Sequence, residues 1–513
     1  MRRAFALALS SVLLIGSLLA PAGAQTASHT TENQTVTNPN DGTTIAITVF
    51  KPAGASATSR VPVVLHSHGW AGSRKTSIDD EAQQFLDAGF GMVSIDQRGH
   101  GESGGEANVQ DPTLETEDIK AVIDRIASFD WVKRDRPGDP VLGAIGGSYG
   151  GGYQTMTALD EIADSGRTRF NALAPQITWF DLPESLAPQH VPRTLWTALL
   201  YAAGASMLPQ YVHEANAWGT ATGQWPDGTV FGQPAPGVPD LDSEFHKHSP
   251  VAFAERGVKI DVPVLFRQGT TDTLFNLNQG IHLFDDALTK KARKQSYLIA
   301  YNGGHVLPQV WPPGTAGGSD ACSPDGFTAT TIEFFSRVFG GTSTKGLLPA
   351  PYNFTSADGT ECFNFESFNS SLTASPSLGG SGTTISTTGL GAPLHLDVAN
   401  GPLTVTGIPT LSGTVAALGL DSRAFFALSV GTSPADARIV QNNVMPLREI
   451  LPTTGVPFEI ELPGVAIEIP EGQKLFLMIS PMSDMFAATG SKPPGAVVLS
   501  DLELTVPQPS TGK

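Results

Sequence analysis

Ser148 sits in Gly146-Gly147-Ser148-Tyr149-Gly150, directly after the short apolar run 141–145. A strand that enters Gly-x-Ser-x-Gly and leaves as a helix must turn sharply. The turn lifts the serine hydroxyl clear of the backbone, and the flanking glycines leave room for it. A hydroxyl presented in this way, with a base beside it, can attack an acyl carbon. The pattern alone is weak, because in a chain with 55 Gly among 513 residues roughly half a match arises by chance. A second copy exists at Gly101-Glu102-Ser103-Gly104-Gly105. Residues 106–112 after it read as loop, whereas Tyr153, Met156, Thr157 and Leu159 follow Ser148 at the spacing of a buried helix. Ser148 is the candidate nucleophile.

Acyl transfer by serine needs a base for the hydroxyl proton and a carboxylate that holds the base in one tautomer. In Gly-x-Ser-x-Gly hydrolases these follow the serine in the order acid, then histidine. Asp272, in Gln268-Gly269-Thr270-Thr271-Asp272-Thr273, and His305, in Asn302-Gly303-Gly304-His305, meet that order. Asp240 and Asp242 are weaker candidates, because they lie in a stretch that interrupts the strand pattern. The developing oxyanion needs donors aimed at it. The Tyr149 N–H is one, and the Trp70 N–H, in the loop His68-Gly69-Trp70, is the other. His66 and His68 stand two apart, but no further ligand cluster accompanies them, so no metal site is assigned. The chemistry calls for no cofactor.

These residues need strands to position them. Stretches 43–50, 61–65, 91–95, 141–145, 172–177, 262–266 and 296–300 read as strands, and 78–88 and 114–131 carry helical spacing. Alternating strands and helices imply a mostly parallel sheet covered on both faces, with its site at the carboxyl ends of the strands. His68, Asp96, Ser148, Asp272 and His305 all fall just past predicted strands. Residues 181–250 break the alternation with Leu195, Trp196, Leu199 and Leu200 at helical spacing, and read as a helical cap insertion. The catalytic domain spans 40–340. Residues 341–382, rich in Gly, Ser, Thr and Pro, read as a linker. Short alternating runs separated by turns over 383–507 suggest an all-β sandwich.

Arg2 and Arg3, an apolar stretch to Ala20 and the small residues Ala22-Gly23-Ala24 make 1–24 an expected export signal, for a secreted or extracytoplasmic protein. No later run is long and apolar enough to span a bilayer. A net charge of −18 argues against a nucleic-acid partner. The two cysteines, Cys322 and Cys362, are expected to form a disulfide after export.

His68-Gly69-Trp70, the stretch Asp96-Gln97-Arg98-Gly99-His100-Gly101-Glu102-Ser103-Gly104-Gly105, the Ser148 motif, Asp272-Thr273-Leu274-Phe275 and His305 together resemble the cocaine esterase and Xaa-Pro dipeptidyl-peptidase group of α/β-hydrolases. The resemblance implies an α/β-hydrolase fold with a jelly-roll C-terminal domain, and hydrolysis of an ester or amide through an acyl-enzyme. It makes Asp96 and Arg98 braces of a loop below the site and places Ser103 in that loop. Three readings stand: an exported serine esterase acting on a small-molecule or polymeric ester, an Xaa-Pro-type dipeptidyl aminopeptidase with the same triad, and, as a reading of another class, a non-catalytic carbohydrate-binding protein. The oligomeric state is left open.

Overall fold

The computed structural model describes residues 28–305, 318–368, 370–376, 383–386, 392–441, 444–487, 489–492 and 495–510. The expected export signal, 1–24, lies outside the described residues.

The apolar runs of the first half become strands. β1 (Thr30–Thr37), β2 (Thr44–Lys51), β3 (Val63–Ser67), α1 (Asp80–Asp87), β4 (Gly91–Ile95) and α2 (Glu115–Ser128) come first. A small hairpin, β5 (Arg134–Arg136) and β6 (Asp139–Pro140), leads to β7 (Leu142–Gly147), α3 (Tyr149–Ser165) and β8 (Ala172–Gln176). The chain then leaves the sheet as α4 (Leu182–Leu186), α5 (Thr194–Gly204), α6 (Gln210–Thr222), a hairpin of β9 (Thr229–Val230) and β10 (Gln233–Pro234), α7 (Leu241–Lys247) and α8 (Pro250–Glu255). It returns as β11 (Leu265–Gly269), α9 (Leu277–Asp285), α10 (Lys290–Arg293), β12 (Tyr297–Tyr301), α11 (Phe327–Phe339), β13 (Tyr352–Thr355) and β14 (Cys362–Phe365).

These strands build one 10-stranded mixed sheet in the order β1-β2-β4-β3-β7-β8-β11-β12-β13-β14. The run from β4 to β13 is parallel, and β2 and β14 pair antiparallel with it at the two sides. Successive side chains of a strand point to opposite faces, so a sheet covered on both sides feeds two cores. Val63 and Leu65 of β3 join Ile123 of α2 and Met156 of α3. Val64, between them, joins Phe85 of α1 and Phe335 of α11. Each such buried side chain contributes about 1.5–3 kcal/mol relative to exposure.

Beyond the sheet the described residues form strands, apart from a 3-10 turn at Asp484–Phe486. Two five-stranded antiparallel sheets form among the described residues. Leu411, Val415 and Leu499 of one share a core with Phe426, Leu428 and Leu477 of the other. This region grips the half that holds the central sheet: Asn278 of α9 donates to Leu462 O (3.1 Å) and accepts from the Gly464 N–H (2.6 Å). No described helix is long and apolar enough to cross a membrane.

The expected boundaries need correction. β1 precedes residue 40, and its sequence, TTENQTVT, offers no apolar alternation because most of this edge strand is exposed. The expected linker, 341–382, supplies β13 and β14 to the central sheet and the strand Ser370–Ala374 to the C-terminal region. Its Gly- and Ser-rich flanks hide the buried aromatics Tyr352, Phe354 and Phe365, which pack with one another. The interruption reaches past residue 250, to Glu255 at the end of α8. The disulfide forms between Cys322 and Cys362, whose Cα atoms lie 5.1 Å apart, and ties the loop before α11 to β14.

Candidate active site

β7 runs straight into α3, and Ser148 is the residue between them. It holds φ 57° and ψ −122°, a conformation costly for a residue with a Cβ, on the order of 1–3 kcal/mol. The surroundings impose it. The Ser148 N–H donates to Gln176 O on β8 (2.9 Å), and its carbonyl accepts from the Gly151 and Gly152 N–H groups (2.8 and 3.1 Å). The two glycines of the motif allow a very close approach. A Cβ on Gly146 would stand 2.5 Å from Gly150 O, and one on Gly150 would collide with Ser67 O.

Ser103 is occupied elsewhere. Its hydroxyl donates to Asp96 O (2.7 Å) and accepts from the Ala46 N–H (2.9 Å). It stitches the 96–105 loop to β2. That loop is braced as the resemblance implies. Arg98 donates through Nε and Nη2 to Asp118 (2.7 and 2.8 Å) and through Nη1 to Asp41 (2.7 Å). The Arg98 hydrogen bond holds the Asp41 carboxyl down to about 2. Buried Asp96 accepts from the Arg74 N–H (2.6 Å) and the Glu102 N–H (2.9 Å), and it pairs with the Arg74 guanidinium.

Asp272 and His305 follow β11 and β12, which are parallel neighbours, so the two loops emerge side by side. His305 Nδ1 lies 2.5 Å from Asp272 Oδ2. Asp272 Oδ1 accepts from the Leu274 and Phe275 N–H groups (2.9 and 2.8 Å), so the fully buried carboxylate is fixed on both oxygens. That contact puts the proton on Nδ1 and leaves Nε2 with a lone pair. The Phe275 ring stands edge-on to the His305 ring at 5.2 Å. Phe275 also lines the cavity that holds Ser148.

Tyr149 and Trp70, the residues expected to supply the oxyanion donors, line the same cavity as Ser148. Tyr149 opens α3, and its N–H lies in the first turn, where a helix offers no internal acceptor. Gly69 packs on the elbow, since a Cβ there would lie 3.8 Å from Ser148 Cβ, and Trp70 is the next residue. The Trp70 ring meets Tyr149 edge-on at 5.1 Å, and its Nε1–H donates to Leu200 O of α5 (2.9 Å). Gly204 of α5 lies so close to that ring that any Cβ would strike it. His68 Nε2 accepts from the Gln97 N–H (3.1 Å), and His66 Nδ1 pairs with Ser94 Oγ (2.8 Å). Burial pushes His66 down to about 3, lowers His68 and pushes nearby His100 down to about 4.

A cavity of about 510 Å³ opens over Ser148. Its walls come from α4 to α7, from Leu274 and Phe275, and from Thr489 of the C-terminal region.

Residues 41–307 match the X-Pro dipeptidyl-peptidase (S15) family. The chain belongs to that family. Among solved structures it resembles a CocE/NonD family hydrolase from Staphylococcus aureus, with TM-score 0.64, 14% identity and 93% of both chains covered. An aminopeptidase from a marine sediment archaeon, Thaumarchaeota archaeon, gives TM-score 0.64 at 13% identity over 97% of this chain and 99% of that one. An α-amino acid ester hydrolase gives TM-score 0.61 at 13% identity over 97% and 100%. At such identities the likeness is one of fold. Two curated Escherichia coli relatives are an uncharacterized 31.7 kDa protein, 34% identical over 117 residues, and the uncharacterized protein YcjY of strain K12, 29% identical over 127. The matches cover 23% and 24% of this chain, and the chain spans 38% and 40% of those relatives.

In this S15 family member, sequence reasoning missed how the excursion between β8 and β11 joins the Asp272–His305 pair. Thr273 Oγ1 donates to His305 O (3.0 Å) and accepts from Trp196 Nε1–H of α5 (3.0 Å). The Trp196 ring stands edge-on to His305 at 6.0 Å. Thr273 could have been noticed as the neighbour of Asp272. Trp196 stands out by its helical spacing in the insertion, but nothing there points to its partner, which lies 77 residues on.

Proposed function

We propose that the protein is an exported serine hydrolase that cleaves carboxylic esters through an acyl-enzyme. Ser148 is the nucleophile, His305 the general base and acid, and Asp272 the group that orients His305. The observation that carries this reading is the positive-φ elbow that presents Ser148 in the cavity lined by Phe275, the ring packed on the Asp272-bound histidine.

In the first half-reaction, Ser148 Oγ attacks the ester carbonyl while His305 Nε2 takes its proton. The Tyr149 and Trp70 N–H groups hold the oxyanion, and one such donor contributes on the order of 10² to 10³ in kcat. Collapse expels the alcohol, which leaves with the proton from His305. A water then attacks the acyl-enzyme with His305 as base, and Ser148 leaves as the alcohol did. The excursion from α4 to α8 acts as a cap over the cavity, and the C-terminal region is a jelly roll that buttresses it. The disulfide supports the export reading, since such bridges persist in oxidising compartments.

A panel of p-nitrophenyl acetate, p-nitrophenyl butyrate and Ala-Pro-p-nitroanilide tests this reading on the wild type and Ser148→Ala. Ester turnover that disappears in the variant is expected. Cleavage of the anilide alone would replace the esterase reading by a peptidase using the same residues. Full activity in Ser148→Ala would remove the nucleophile assignment.

A further inference from the structure

Among the described residues, no charged side chain lines the cavity over Ser148. Its lining is dominated by apolar groups, among them Trp179, Leu208, Val212, Trp225, Phe245 and Leu274. The polar side chains that reach it include Asn216 of α6, Gln224 and Thr489, and all are neutral. The nearby acid Asp242 lies behind the wall and accepts from Trp225 Nε1–H (3.1 Å). Glu115 is pushed up to about 8 by burial and accepts from the Asn108 and Asp111 N–H groups (2.6 and 3.1 Å).

A substrate that enters with a free α-amine brings an ammonium. Burying an ammonium without an anionic partner is strongly unfavourable. The cavity offers it none. A hydrocarbon chain, in contrast, gains from every methylene removed from water. The volume of about 510 Å³ falls in the range of sites that enclose a whole small ligand.

We infer that the cavity selects esters whose buried part is an uncharged aliphatic acyl chain of several carbons, rather than an amino-acyl or dipeptidyl group. The inference rests on Ser148 being the nucleophile. The α6 wall sets how much chain fits: buried Ala215 and the more exposed Thr220 both face the cavity.

The test measures kcat/KM on p-nitrophenyl esters from acetate to dodecanoate, together with the pair hexanoate and 6-aminohexanoate. The wild type should gain about fourfold per added methylene over the first several carbons, the factor implied by the transfer of one CH₂ from water. The 6-amino ester should be at least 100-fold poorer than the hexanoate. Ala215→Phe should move the optimum to a shorter acyl chain than in the wild type. Thr220→Trp, at a more exposed position, makes the same test should Ala215→Phe fail to fold. A flat response to chain length, or a preference for the 6-amino ester, overturns the inference. Labelling of wild type but not Ser148→Ala by a fluorophosphonate separates the two levels. With that label present, a flat response removes only the substrate class. With it absent, the serine mechanism itself fails.

Discussion

Replacing Asp272 with Asn changes one atom and should silence the enzyme without unfolding it. Asp272 Oδ1 accepts two backbone N–H groups, at 2.9 and 2.8 Å, while Oδ2 faces His305 Nδ1 at 2.5 Å. An asparagine can keep its oxygen on the two N–H groups, so the loop stays closed. Its NH₂ must then face Nδ1 and donate to it. The imidazole proton moves to Nε2, the nitrogen that has to accept from Ser148. Holding the wrong tautomer of a catalytic histidine lowers kcat by about 10⁴. That factor corresponds to about 5.5 kcal/mol of transition-state stabilisation. The assay is steady-state hydrolysis of p-nitrophenyl butyrate by Asp272→Asn, beside a thermal melt followed by circular dichroism. The melt should match the wild type within a few degrees. A loss of less than tenfold in a folded variant would refute Asp272 as the orienting acid.

Two further outcomes concern stability. The Cys322–Cys362 bridge closes a loop of 40 residues, so Cys322→Ser/Cys362→Ser should lose about 4 kcal/mol in urea unfolding by the chain-entropy argument; an unchanged urea midpoint would contradict this. His282 of α9 lies 2.9 Å from both Asp286 and Glu461, the latter in the C-terminal region. Burial works against its charge, yet those carboxylates raise it to about 10 from 6.5. A raised folded-state value means the stabilisation is complete below about pH 6.5 and is lost as pH climbs through about 10. The wild-type Tm should therefore fall more steeply between pH 6 and 10 than that of His282→Gln, and parallel curves would contradict the pairing.

Much of the fold was legible because parallel strands buried on both faces are continuous apolar runs. Residues 141–145 and 296–300 marked β7 and β12 for that reason. Strand ends were harder to see. β11 continues through Gln268 and Gly269, which pair with Ala300 and Tyr301 through the backbone alone, so no side-chain pattern reports it. β1 sits at one edge of the sheet, where exposure permits the polar residues that mimic loop; β14 at the other edge is four residues long, too short to stand out beside its Gly- and Ser-rich flanks.

The candidate site was legible for a different reason. Chemistry needs particular residue types, and chain order placed Asp272 and His305 after Ser148. What the sequence could not show was which of two motif serines had a free hydroxyl. The bonds of Ser103 to Asp96 and Ala46 settle its part, and they span 7 and 57 residues. The contacts of Trp196, Leu200 and Gly204 were equally hidden, because the excursion acts on Trp70 and Thr273 through contacts between distant segments.

The central claim is that an acyl group passes through Ser148 Oγ. Acid quenching during turnover of a p-nitrophenyl ester, followed by mass analysis of the peptides, reads this directly. An adduct of the acyl mass on the peptide containing Ser148, absent from Ser148→Ala, is the predicted result. The same mass found on another residue would contradict it.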